Sequence, residues 1–208
     1  GGTGLYVDSL IYGIEYPEIK FDEKYRNKLE KEADEKGLET LYNKAKEIDE
    51  QAMQKISIND RKRIIRVLEI YHATGKNKTE QEIESRKKEI KYDYKIFAIN
   101  MDREKLYERI NIRVDRMIET GLIEEVENLQ KKYNHFPTAM QGLGYKEVIE
   151  YLQSQITREE MIEKIKQESR RYAKRQLTWF RKNKQTIWID GLANLEDNIN
   201  IIEKELNK

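Results

Sequence analysis

Only two stretches of this chain are dense enough in aromatic and β-branched residues to read as strands: Tyr94-Lys95-Ile96-Phe97-Ala98-Ile99 and Thr186-Ile187-Trp188-Ile189. Both are too short for helices. A strand pair is marginal in water by itself, so these two read as members of a larger parallel sheet with helices on both faces. The expected class is α/β and helix-rich, with the remaining strands upstream. The chain opens Gly1-Gly2-Thr3-Gly4 without a Met, inside what reads as a glycine-rich turn, and it is expected to be a fragment.

The rest is patterned for helix. Asp22 is placed to cap a helix ending at Gly37, and a second helical run extends from Glu39 to Gln54; both are densely charged and read as a solvated pair. From Asp60, Ile64, Ile65, Leu68 and Tyr71 recur at helical spacing until Gly75 supplies a stop. Thr79 with Glu82 reads as a capping box. Asp102 caps a helix whose stripe is Leu106, Ile110, Val114 and Met117, ending at Gly121, and another helix reaches Tyr133. His135-Phe136-Pro137 reads as a loop, and Thr138 to Leu152 as a glycine-broken turn entering a short helix. Thr157 with Glu160 boxes the longest helix, expected to reach Lys184, and a last helix covers Leu195 to Leu206.

No apolar run approaches the roughly 18 residues of a membrane span. With no Cys there is no disulfide, thiolate nucleophile or Cys-ligated zinc, and the isolated His72 and His135 read as surface or capping residues rather than metal ligands. A reducing cytoplasm fits this composition. Net charge is only +1, yet from Ser169 to Ile189 there is no acid, while Arg170, Arg171, Lys174, Arg175, Arg181, Lys182 and Lys184 supply seven bases. Tyr172, Trp179 and Phe180 are interleaved with them, and Gln176 and Thr178 offer hydrogen bonds. Bases hold phosphates and aromatics stack on unpaired nucleobases; a solvated basic face opposite a core stripe of Tyr172, Leu177 and Phe180 fits the same pattern.

Two other segments can carry chemistry. Arg109, Arg113 and Arg116 share one helix face, with Arg113 nearest the apolar stripe and therefore expected at the core edge. There it would either pair with an acid or hold a pyrophosphate, whose oxygens match its planar fork. The opening Gly1-Gly2-Thr3-Gly4-Leu5-Tyr6 and the segment Met140-Gln141-Gly142-Leu143-Gly144-Tyr145-Lys146-Glu147 both allow close backbone approach to an anion or nucleotide, and both also read as plain helix-entry turns.

Taken in order, Gly1 to Tyr6, Asn59-Asp60 with Arg63, Arg66, Leu68 and Glu69, the Arg109 and Arg113 helix, Met140 to Glu147, and Lys174-Arg175-Gln176-Leu177-Thr178-Trp179 resemble the tRNA dimethylallyltransferase family across nearly the whole chain. The resemblance implies a phosphate-loop NTPase-like core (residues 1–20 and 59–208, the latter with tRNA-binding helices) and a helical insertion domain (21–58). It implies transfer of a dimethylallyl group from dimethylallyl diphosphate to N6 of the adenine next to the anticodon, with Mg²⁺ present, by a cytoplasmic monomer that binds the tRNA anticodon stem-loop. In family terms Thr3 and Arg113 are catalytic, stabilising the diphosphate and reacting centre. Arg26 (after a one-residue gap), Lys62, Arg63, Arg66, Gln141, Gly142, Leu143, Gly144, Tyr145, Lys146, Lys174, Arg175, Gln176, Thr178, Trp179 and Arg181 match tRNA-contacting positions.

Two departures stand out. The family's N-terminal phosphate loop, and the Asp after it that acts as base toward the adenine amino group, are not among these residues, and Ile58 stands where many members have Pro. The fragment is therefore expected to be inactive alone, with the Mg²⁺ ligands in the missing segment. The competing readings are a non-catalytic helical RNA-binding module, which needs only the basic aromatic helix, and a charged scaffold without a nucleic-acid role.

Overall fold

In the computed structural model, which describes residues 2–14, 16, 22–86, 92–133 and 140–207, both expected strands form and pair with each other. Gly1, His135, Phe136, Pro137 and Thr138 lie outside the described residues. Two compact units result, one of residues 3–94 and one of Gly2 with residues 95–208.

The first unit begins with α1 (Gly4–Ile11) and is built on α2 (Glu23–Lys36), α3 (Leu38–Ile48), α4 (Glu50–Met53), α5 (Arg61–Thr74) and α6 (Lys78–Arg86). Asp22 caps α2 by accepting from the Tyr25 N–H at 3.0 Å. Gly37, at φ 87°, lets α3 follow α2 directly. Leu29 and Ala33 of α2, Leu41 and Ala45 of α3, and Ile64, Ile65 and Leu68 of α5 share one core. The α2–α3 pair is thus not merely solvated: its few apolar residues are spaced to meet α5. Leu41, Ile64 and Ile65 are fully buried, each contributing about 1.5–3 kcal/mol by transfer.

Asp49 breaks the helical run expected from Glu39 to Gln54. Its buried carboxylate accepts from the Ala52 N–H at 2.9 Å, capping α4, and from the Thr79 N–H and hydroxyl at 2.8 and 2.6 Å. Thr79 is thereby committed to Asp49, and the box at the start of α6 lies two residues upstream: Asn77 accepts from the Glu80 N–H at 2.7 Å and its own N–H donates to the Glu80 carboxylate at 3.2 Å. His72 stacks on Tyr25, ring centroids 3.8 Å apart, and lies 3.5 Å from the Asp22 carboxylate.

In the second unit β1 (Ile96–Asn100) pairs in parallel with β2 (Thr186–Asp190), Ile96 opposite Thr186 and Asn100 opposite Asp190. Between them run α7 (Arg103–Glu119), α8 (Leu122–Lys132), α9 (Tyr145–Leu152) and α10 (Arg158–Phe180), and α11 (Leu195–Leu206) follows β2. The core joins Val114 and Ile118 of α7, Leu122 and Val126 of α8, Val148 of α9, and Met161 and Ile165 of α10. Thr157 and Glu160 form both arms of the expected box. The long helix stops at Phe180 rather than Lys184, because the Thr186 hydroxyl donates to the Phe180 carbonyl at 3.1 Å as the chain turns into β2. At Gly191 the N–H donates to the Asn100 carbonyl at 2.7 Å, and a Cβ would stand 2.8 Å from both Ile99 Cγ2 and Met101 Cε.

Candidate nucleic-acid interface

The long helix α10 divides into two halves. Its N-terminal half enters the core through Met161 and Ile165 and is clamped to α7 by Lys166 to Asp115 at 2.7 Å and Arg170 to Asn111 at 2.7 Å. From Ser169 to Phe180 no residue is buried. Tyr172 is 41% exposed and Trp179 36% exposed, so the core stripe of Tyr172, Leu177 and Phe180 does not form. A helix needs partners to bury a stripe, and the buried residues of α10 end at Ile165, with Arg170 alone reaching Asn111 from the start of this half.

Helical phase sorts the expected RNA contacts into two rows. Tyr172, Arg175, Gln176 and Trp179 stand at i, i+3, i+4 and i+7 on one face, whereas Lys174, Thr178 and Arg181 face the other way. Cations lie over rings along this stretch: Arg175 at 5.7 Å from the Tyr172 centroid, Lys182 at 5.3 Å from Trp179 and Arg181 at 5.9 Å from Trp188. Gln176 donates to the Gly2 carbonyl at 2.8 Å, so its amide nitrogen is already engaged, and the Thr178 hydroxyl donates to the Lys174 carbonyl at 2.9 Å. Lys174 has no ion pair among the described residues.

The glycine-broken segment is anchored by a carboxylate that sequence reading missed. Glu147 is buried and accepts from the Gly144 N–H at 2.8 Å, with Gly144 at φ 94°. Gly142 accepts from the Tyr145 and Lys146 N–H groups at 3.1 Å. Gln141, Leu143 and Lys146 are exposed on the turn. The Tyr145 phenol donates to Glu125, which together with burial holds it above its ordinary pKa. The spacing of Gly144 and Glu147 was the available signal: an acid three residues after a helix-entry glycine.

In the first unit Lys62, Arg63 and Arg66 occupy the exposed face of α5. The buried Glu69 accepts from Arg26 at 3.1 Å and Arg66 at 3.4 Å, so two arginines matched to tRNA contacts are fixed by one carboxylate between α2 and α5. Arg61, beside them in sequence, turns back to Asp34 at 2.7 Å and the Glu30 carbonyl at 2.6 Å. Arg63 lies 3.4 Å from Asp60, the cap of α5, and Lys62 has no ion pair among the described residues.

Thr3 belongs to the first unit and Arg113 to the second. Thr3 is the exposed N-cap residue of α1; its carbonyl accepts from Tyr6 and Val7, and its side chain makes no cap hydrogen bond. Arg113 is exposed rather than at the core edge. The buried residues of α7 are Val114 and Ile118, about 100° and 140° around the helix from Arg113; Leu106, Ile110 and Met117, which set the expected stripe, are only half-buried. Arg109, Arg113 and Arg116 are all exposed, and none has an ion pair among the described residues. Among the described residues no group of three or more His, Asp or Glu side chains is placed to hold a metal ion, and no helix is long and apolar enough to cross a membrane.

Comparison with known proteins gives a consistent picture. The IPP transferase family model matches residues 1–183. The tRNA dimethylallyltransferase of Acetivibrio thermocellus is 50% identical over 191 residues, covering 91% of this chain and 61% of that protein. That of Bacillus cereus strain G9842 is 43% identical over 190 residues, covering 91% and 60%. The chain thus spans about three fifths of the curated relatives' length. Among solved structures, the tRNA isopentenylpyrophosphate transferase of Bacillus halodurans matches with TM-score 0.61 at 37% identity, covering 99% of this chain and 63% of that one. A eukaryotic dimethylallyltransferase acting on tRNA matches with TM-score 0.70 at 27% identity, covering 98% and 54%.

Proposed function

Because the chain belongs to the IPP transferase family, we propose that it serves the transfer of a dimethylallyl group from dimethylallyl diphosphate to N6 of the adenine next to the anticodon in tRNA. The observation that carries this reading is the acid-free half of α10, which sets exposed Tyr172 and Trp179 among bases and buries nothing of its own. Phosphates of an RNA loop neutralise such a surface, and unstacked bases find rings to lie on.

In the reaction the allylic C–O bond breaks, the electron pair leaves with the diphosphate, the adenine N6 bonds to the allylic carbon, and the N6 proton passes to a base. Negative charge therefore grows on the diphosphate as it departs. Arg113, which has no ion pair among the described residues, and the Thr3 hydroxyl are assigned to that charge. An adenine must leave its stack to be reached, and the aromatic row of α10 and the Gln141 to Lys146 turn are assigned to holding the loop in that form. Mg²⁺ is proposed only as a companion of the diphosphate, whose oxygens are ligands in their own right; no described cluster of this chain fits it, and no step is assigned to it. A cytoplasmic, monomeric protein is part of the same proposal.

The test is mass spectrometry of tRNA nucleosides from cells with and without the gene that encodes this chain. N6-dimethylallyladenosine disappears with the gene and returns with its restoration. Its persistence in the deletion strain, with RNA binding by the chain intact, favours the non-catalytic RNA-binding module.

A further inference from the structure

Glu125 lies on α8, and its carboxylate accepts from the Tyr145 phenol at the entry to α9. We infer that Glu125 is a positioning residue: through Tyr145 it holds the Gln141 to Lys146 turn in the form that receives the RNA loop. The inference rests on the tRNA reading above and adds to its interface a residue that acts without touching RNA.

The turn's own bonds are local. Gly142 accepts from the Tyr145 and Lys146 N–H groups, both at 3.1 Å, and the Gly144 N–H donates to the buried Glu147 carboxylate at 2.8 Å. These contacts span three or four residues, so they set the shape of the turn but not its place. Glu125 is twenty residues from Tyr145, on a helix whose Leu122 and Val126 share a core with Val148 of α9. Among the described residues the phenol–carboxylate bond is the polar contact that ties the turn to another element. An ionised acceptor makes such a bond stronger than a neutral pair. The Tyr145 hydroxyl, having given its one proton to Glu125, has none left for an acceptor on RNA.

The charge of Glu125 points the other way. Glu124 and Glu125 both lie in the first turn of α8, where the helix dipole favours an acid. That accounts for an acid at either position, but only Glu125 reaches the phenol. Glu127, farther along, is paired with Lys131 at 2.8 Å, whereas Glu125 is exposed and has no ion pair among the described residues. A carboxylate behind a turn that exposes Gln141, Leu143 and Lys146 repels phosphate. As a bare charge, Glu125 weakens RNA binding; as the anchor of Tyr145, it strengthens it. The two roles predict opposite signs on removal.

The experiment uses the full 208-residue chain and a synthetic anticodon stem-loop RNA, with affinity measured by filter binding at one fixed low salt and urea midpoints measured alongside. Glu125→Ala and Tyr145→Phe should each weaken binding by about 3–10-fold, and the double variant should be no weaker than either single one. Glu125→Gln keeps an acceptor for the phenol without the charge and should bind at least as tightly as wild type. Glu124→Ala, which removes the neighbouring acid, should not weaken binding. Tighter binding by Glu125→Ala makes the residue a bare charge and overturns the positioning role. A Tyr145→Phe loss that persists in full on the Glu125→Ala background overturns it too, by making the hydroxyl a direct RNA contact. Where Glu125→Ala lowers the urea midpoint, the near-isosteric Gln variant decides: binding as weak as that of Glu125→Ala overturns the role. All of these leave the tRNA reading standing, whereas no RNA binding by the wild type overturns both.

Discussion

At Arg113 an exposed guanidinium has no ion pair among the described residues, in a chain that holds 39 acidic residues. If, as proposed, its charge serves the departing diphosphate, Arg113→Ala in the protein expressed from the whole gene should lower single-turnover transfer by about 10²–10³-fold while tRNA affinity from filter binding changes little. Unchanged rate with weakened tRNA binding would move Arg113 to the RNA surface. The residue type and its shared face with Arg109 and Arg116 were legible in the sequence. Its separation from the core was not, because the half-buried Leu106, Ile110 and Met117 weigh as much in a periodicity count as the residues α8 and α10 cover. Asp49 makes a different prediction. Burial alone raises its pKa, and the hydrogen bonds from Thr79 and Ala52 more than reverse this, holding it below the ordinary 3.8. A lowered native pKa means the ionised carboxylate stabilises the fold above that ordinary value, and the contribution is lost as pH falls through the native one. Asp49→Asn puts an amide donor against donors of Thr79 and should cost about 1–3 kcal/mol at neutral pH, by urea unfolding, with the difference from wild type shrinking under strong acid.

The two rows of α10 can be tested as rows. Removing Lys174 and Arg181 together, or Arg175 alone, should each weaken anticodon stem-loop binding for every sequence and flatten its salt dependence, whereas Trp179→Ala should weaken binding with the salt slope kept. Trp179→Ala must also retain its helical circular dichroism before the loss is credited to stacking. Equal behaviour of the charge and ring variants would count against the division. Elements whose ends are set locally were readable in advance: Asp22, Asp60, Asp102 and Thr157 each cap the helix that follows, through hydrogen bonds spanning two or three residues. Thr79 misled because its partner, Asp49, is thirty residues away. The same long-range bond split α3 from α4, against a charge and apolar pattern that ran through the break unchanged. In the candidate interface, residue types and their helical phase were visible from the sequence, but the exposure of the distal half of α10 needed the helix to be placed, and the anchoring of Gly144 by Glu147 needed its burial.

Over the whole chain, bases and acids nearly cancel, so long-range attraction to RNA cannot come from net charge and must come from where the charges are gathered. Affinity for the anticodon stem-loop should therefore fall steeply with salt despite a formal charge of +1; binding indifferent to salt would refute this. The gathering has a cost in local order. Met161 and Ile165 fasten the first turns of α10, but beyond Ser169 no residue is buried and the bases have no acid among them to offset their repulsion. Amide exchange should quicken along that one helix from its N-terminus toward Phe180, a gradient with no break in the backbone to mark it. Saturating RNA should flatten the gradient by slowing only the distal turns, so that the ligand is read as a footprint of protection inside a single continuous helix.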